Sequence, residues 1–185
     1  MAERWVPKQG SPIGPKEPIG RRLFDEPALV GAADQKPKET LDYRHFEERR
    51  TPIEVSFDRL GERGIDRKVL NFVTPIARRQ GKAFRVQKKF DGWAYMPSEQ
   101  LANPPKGTGF PVIPSPIKYD EPAHVEHNPY HAHTTGQDTH SVALHLQYLF
   151  SKHGRVRPCP RDPSRTFARA RQFWTSVLRR CRLAD

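Results

Sequence analysis

"TPIEVSFDRLGERGIDRKVLNFVTPIARRQGKAFRVQKKFDGWAYM" runs from Thr51 to Met96 and changes its apolar period twice. In its first part Ile53, Val55 and Phe57 alternate with Glu54 and Ser56, the period-two pattern of a half-buried strand. Ile65, Val69, Phe72, Val73 and Ile76 then recur at helical spacing. Asp66 is placed to cap that helix and Gly81 to stop it, while Pro75 is expected to kink or shorten it. From Phe84 the alternation returns: Phe84, Val86 and Phe90 share one face, and Arg85, Gln87 and Lys89 the other. Asp91-Gly92 suits a tight hairpin turn leading into Trp93 and Tyr95. Strand, helix and hairpin together predict a small α+β domain.

Outward from this unit the composition changes. Residues 1–40 include "SPIGPKEPIG", with Pro-Ile-Gly twice, and predict an extended, Pro-rich arm with little burial. Ile13, Ile19, Leu23 and Phe24 would anchor such an arm on a protein or nucleic-acid partner. Residues 41–135 hold the small α+β domain, with "FPVIP" (110–114) confined to a sheet edge by its prolines. Residues 136–185 predict a basic helical region. One helix carries Val142, Leu146, Leu149 and Phe150, with Asp138 or Thr139 as its cap and Gly154 after it. A second is opened by Asp162 and Pro163 and carries Phe167, Ala170, Trp174, Val177 and Cys181.

Charge is the clearest global signal. The 185 residues carry a formal net charge of +11, only 35% are hydrophobic, and nineteen are proline. From Lys152 to Asp185 there are ten Lys/Arg against two Asp, and all but one of the cations are arginine. Guanidinium forks bind phosphate in bidentate fashion, and Arg165, Arg169 and Arg180 fall on one side of the last helix, away from its apolar stripe. RNA or DNA is therefore the expected partner, gripped through its phosphates by an accessory or assembly protein. Arg85, Lys88 and Lys89, beside Phe84, Phe90, Trp93 and Tyr95, form a second candidate nucleic-acid surface. Large aromatics at alternating positions are more often core, which places Phe84 and Trp93 inside. An acidic protein partner is the alternative for the same charge.

Chemistry, if any, belongs to "HVEHNPYHAH" (124–133), which holds four of the eight histidines. On an extended chain His131 and His133 point to one face, and they are the candidate catalytic residues of the alternative reading, a small toxin-like nuclease or phosphodiesterase. They could also hold a transition metal, completed by His124, His127, His140 or Asp138, although no metal or cofactor is required by any recognised spacing. Asn128-Pro129 divides the cluster, Thr135 stands where a histidine-triad hydrolase has its third histidine, and the single His133-Thr134-Thr135 element lacks the second copy of the two-histidine phosphoesterases. The plainer expectation is a polar loop entering a strand, with His145 a structural histidine.

Several classes are excluded or unsupported. Cys159 and Cys181 are too few for a disulfide framework, and no Gly-rich phosphate loop, RNP-like octamer or zinc-finger spacing occurs. Cations around Cys159 would lower its thiol pKa. No apolar run approaches transmembrane length and "MAERWVPKQG" has no apolar signal region, so a cytoplasmic protein is expected.

Overall fold

A computed structural model describes residues 7, 11–26, 33–47, 53–105, 109–116, 128–136 and 139–160. The alternating run around Val55 is strand β2 (Ile53–Arg59), with Val55 and Phe57 buried and Glu54 exposed. The helical run is α1 (Arg67–Ala83), and Asp66 caps it by accepting the Lys68 N–H at 2.7 Å. Pro75 lies on the exposed side of α1 and the helix runs through it, ending two residues beyond Gly81.

The remaining elements complete a six-stranded antiparallel sheet. They are β1 (Pro18–Phe24), a short 3-10 turn (Tyr43–His45), β3 (Phe90–Pro97), α2 (Ser98–Ala102), β4 (Ile113–Pro114), β5 (His131–Gly136), α3 (Thr139–Lys152) and β6 (Arg155–Pro158). The strand order is β4-β5-β2-β1-β3-β6. The expected α+β class is therefore the observed one. No helix among the described residues is long and apolar enough to cross a membrane.

The sheet separates two apolar clusters. On one side α3 packs Val142, Ala143, Leu146, Leu149 and Phe150 against Ile19, Leu23, Val55, Phe57 and Val156. On the other, Val69, Leu70, Val73 and Ala77 of α1 cover Phe24, Leu60, Phe90 and Trp93. Burying one stripe of each helix on opposite sheet faces is what stabilises the three layers.

Four expectations are corrected. The stretch read as a barely buried arm contains β1, an inner strand between β2 and β3, in which Ile19, Leu23 and Phe24 are core residues unavailable as anchors. Pro18 is tolerated because it opens the strand, and a Cβ at Gly20 would press on the buried Leu60 (2.6 Å) and Trp93 (3.0 Å) side chains. Phe84 to Lys89 form an exposed loop instead of a strand, leaving Phe84 38% and Val86 75% exposed. Asp91-Gly92 is not a hairpin turn: it lies within β3 where the register with β1 slips by one residue between Leu23 and Phe24. Gly92 has φ +145°, and a Cβ there would sit 2.2 Å from the Arg157 carbonyl oxygen.

The fourth correction concerns the carboxy-terminal third. Within the stretch expected to be a basic helical region, the residues after α3 form β6, whose Val156 exchanges hydrogen bonds with Asp34 and Gln35 at the sheet edge. The second helix, with Arg165, Arg169, Arg180 and Cys181, falls outside the described residues, as do His124, His127 and Asp138.

Candidate functional site

β5 pairs with β2 in a register that sets His131 opposite Asp58 and His133 opposite Ser56. Directly opposed residues share a sheet face, so the period-two expectation for His131 and His133 holds, and that face is the one covered in part by α1. His131 is tied to the short edge strand: its Nδ1 lies 2.8 Å from the Ser115 carbonyl, and its own carbonyl accepts the Ser115 N–H. A carbonyl only accepts, so Nδ1 carries the proton and Nε2 keeps its lone pair. Burial lowers the His131 pKa, only partly offset by the Ser115 contact and the Asp58 charge, which favours the neutral imidazole. The His133 Nδ1 is buried and has no hydrogen-bond partner among the described residues.

Asp58 is the centre of a polar network that sequence reasoning missed. Its buried carboxylate accepts from Arg22 Nε (2.8 Å), Arg22 Nη2 (2.7 Å), Trp93 Nε1 (2.9 Å) and Asn128 Nδ2 (3.1 Å). Burial pushes its pKa up, but the Arg22 charge and these donors outweigh it and hold the carboxyl below its ordinary value. Four donors use up the carboxylate's accepting capacity. Asp58 therefore cannot also orient His131, and no carboxylate–histidine dyad forms between these register neighbours. Arg22 spends its remaining Nη1 on Gln80 of α1 at 2.7 Å.

His140 lies elsewhere, its ring 5.4 Å from that of Tyr43, so it does not join His131 and His133. His145 packs edge-on against Phe110 at 5.3 Å, a structural histidine as expected. Among the described residues no group of three or more His, Cys, Asp or Glu could hold a metal ion.

Arg85, Lys88 and Lys89 lie toward the other edge of the sheet. The loop carrying Arg85, Lys88 and Lys89 feeds β3, separated from β5 by β2 and β1. At about 4.8 Å per strand, that is roughly 14 Å between β5 and β3. The structure thus does not bring Arg85, Lys88 or Lys89 to the histidines. Residues 78–89 hold six Lys/Arg and no acid. Lys88 closes the loop by donating its backbone N–H to the Gly81 carbonyl (3.0 Å), and its ammonium lies 5.6 Å from the Phe84 ring centre. Lys89 is less available, since its Nζ pairs with Asp91 at 2.5 Å. Trp93, expected in the core, is fully buried.

The residues that follow β6 lie beside Arg78 of α1. Arg78 Nη2 donates to the Pro160 carbonyl at 3.0 Å and contacts the Cys159 sulfur at 3.4 Å. The expected lowering of the Cys159 pKa is corrected: burial of the thiol raises it despite Arg78. The chain matches no protein-family model, and no curated protein or solved structure is significantly similar to it.

Proposed function

We propose that this chain binds nucleic acid, through a cationic surface made of the end of α1 and the 84–89 loop, with the arginines of the sequence after Pro160 as further phosphate contacts. One observation carries the reading. A twelve-residue segment with six cations and no acid adjoins, through the Arg78–Pro160 contact, the start of a stretch whose sequence holds seven more arginines. A cationic segment in contact with the start of an arginine-rich stretch makes a polyanion the favourable partner, because each phosphate neutralised releases condensed counterions. Arg85 and Lys88, together with Arg165, Arg169 and Arg180, are the residues assigned to phosphate contact, with Lys89 in reserve. An accessory or assembly role on RNA or DNA in the cytoplasm fits these contacts, which position a strand without reading its bases.

The test is the affinity for a labelled oligonucleotide as a function of salt. Arg85→Ala/Lys88→Ala is expected to lower the log–log salt slope by about 1.5, and Arg165→Ala/Arg169→Ala/Arg180→Ala by about 2.5. Unchanged slopes, or binding to polyglutamate as tight as to the oligonucleotide, would replace this reading by an acidic protein partner.

A second reading, phosphodiester cleavage, is favoured by the neutral His131, whose Nε2 is left as an acceptor next to His133 on a partly exposed sheet face. Against it, the nearest described cation on that face, Arg22, is held by Asp58 and does not offer an unpaired charge to a phosphorane. Cleavage that vanishes in His131→Ala/His133→Ala, with binding and melting retained, would establish it.

A further inference from the structure

The geometry points to Phe84 as a stacking platform for an unpaired base, which makes the polynucleotide taken by the cationic surface single-stranded; this rests on the nucleic-acid reading above. Phe84 stands at the carboxy-terminal end of α1 with 38% of its surface exposed, although it is large and apolar. It is not a loose side chain. Its ring meets Phe24 edge-on at 5.2 Å and 88°, and Phe24 is itself buried against Phe90 at 5.6 Å. The ring is therefore held from the core while much of it faces solvent.

Its surroundings fit one kind of occupant. Arg85 and Lys88, both exposed, flank the ring in a loop pinned by the Lys88–Gly81 hydrogen bond, and no acid lies between residues 78 and 89. A folded apolar partner would meet the Lys88 ammonium over the ring and the exposed Arg85 beside it in sequence. A polyanion with free π-faces would meet an aromatic where it has a base and cations where it has phosphates. The Lys88 ammonium now over the ring makes a weak exposed contact. A base can take its place, and the flexible lysine stem lets the ammonium follow the phosphate. A duplex keeps its base faces stacked internally and can use only the charges.

The experiment compares a twelve-nucleotide oligouridylate with a duplex of equal length, using the full chain at fixed salt. Phe84→Leu keeps an apolar contact for Phe24 and is checked by its melting temperature. It is expected to weaken single-strand binding roughly tenfold and duplex binding less than about twofold. Phe84→Trp, with a larger ring, is expected to bind the single strand at least as tightly as the wild type does. Arg85→Ala/Lys88→Ala should weaken both probes alike. Equal losses on both probes in Phe84→Leu, or none, would overturn the platform while the charge variant still upholds nucleic-acid binding. A wild-type chain that binds neither probe overturns both.

Discussion

Removing the carboxylate at position 58 is the most severe single test of how the sheet is assembled. Asp58 is 1% exposed and Arg22 16%, so neither charge of the pair is well hydrated. Asp58→Ala leaves a largely buried guanidinium without its counter-ion, a loss of about 3–5 kcal/mol. It also strips the acceptor from the Trp93 indole and the Asn128 amide, each costing about 1 kcal/mol or more where water cannot enter. A total of about 5 kcal/mol or more is a large part of the 5–15 kcal/mol typical of a folded domain. With a urea m-value of about 2 kcal/mol/M, the unfolding midpoint followed by circular dichroism should fall by about 2.5 M. Arg22→Met/Asp58→Leu removes both charges and should regain more than half of the loss, since an apolar pair can replace a buried ion pair at little cost. The pH sign follows from the lowered pKa: the stabilisation is present above the ordinary value of 3.8 and is lost as pH falls below it toward the folded pKa. Asp58→Ala should lack that part of the acid transition. A midpoint shift under about 0.5 M in Asp58→Ala, or a double variant weaker than the single one, would refute the network as a source of stability.

Two further outcomes follow from other parts of the fold. Gly92→Ala forces a side chain onto φ +145° and into the Arg157 carbonyl, so thermal melting should show a loss of about 2 kcal/mol or more, against a few tenths for a substitution at exposed Gly64. His131 has its pKa lowered by burial, so the unfolded chain takes up its proton first and stability falls as pH drops through about 6.5. His131→Asn, which can still donate to the Ser115 carbonyl, should reduce the difference in melting temperature between pH 7 and pH 5.5. His45, whose pKa is also lowered by burial though Glu26 opposes it, keeps the remainder.

What the sequence made legible is what local periodicity controls. β2 and α1 were readable because Val55 and Phe57 alternate and because Asp66 and the Val69–Val73 stripe are helix signals within a few residues of each other. His131 and His133 were placed on one face by the same period-two rule. β1 was not readable, because Arg21 and Arg22 look like solvated residues next to Pro18 and Gly20. Their partners lie far along the chain: Arg22 reaches Asp58 thirty-six residues away, and Arg21 Nη1 donates to the Ser56 carbonyl at 2.7 Å, thirty-five residues away. The β1–β2 ladder itself joins only two residue pairs, so these guanidinium contacts supplement a short backbone pairing. No single-segment pattern encodes such contacts.

The 84–89 loop was misread for the opposite reason. Phe84, Val86 and Phe90 satisfy a strand period, yet only Phe90 is buried, because β3 needs no residue before it to reach its partners on β1. The alternation there is local agreement without a neighbouring strand to pair, and pairing is what makes a strand. That failure separates the two candidate sites. The histidines sit where the sheet's hydrogen bonding constrains them, with His131 tied to Ser115 and the opposed Asp58 fully engaged, so this region bears the marks of a structural element. The 84–89 loop escapes the sheet and leaves an aromatic ring and two cations in solvent, although apolar burial would have favoured covering that ring. Exposure there answers no requirement of the fold, which is the stronger reason to look for a partner at Phe84, Arg85 and Lys88 than at His131 and His133.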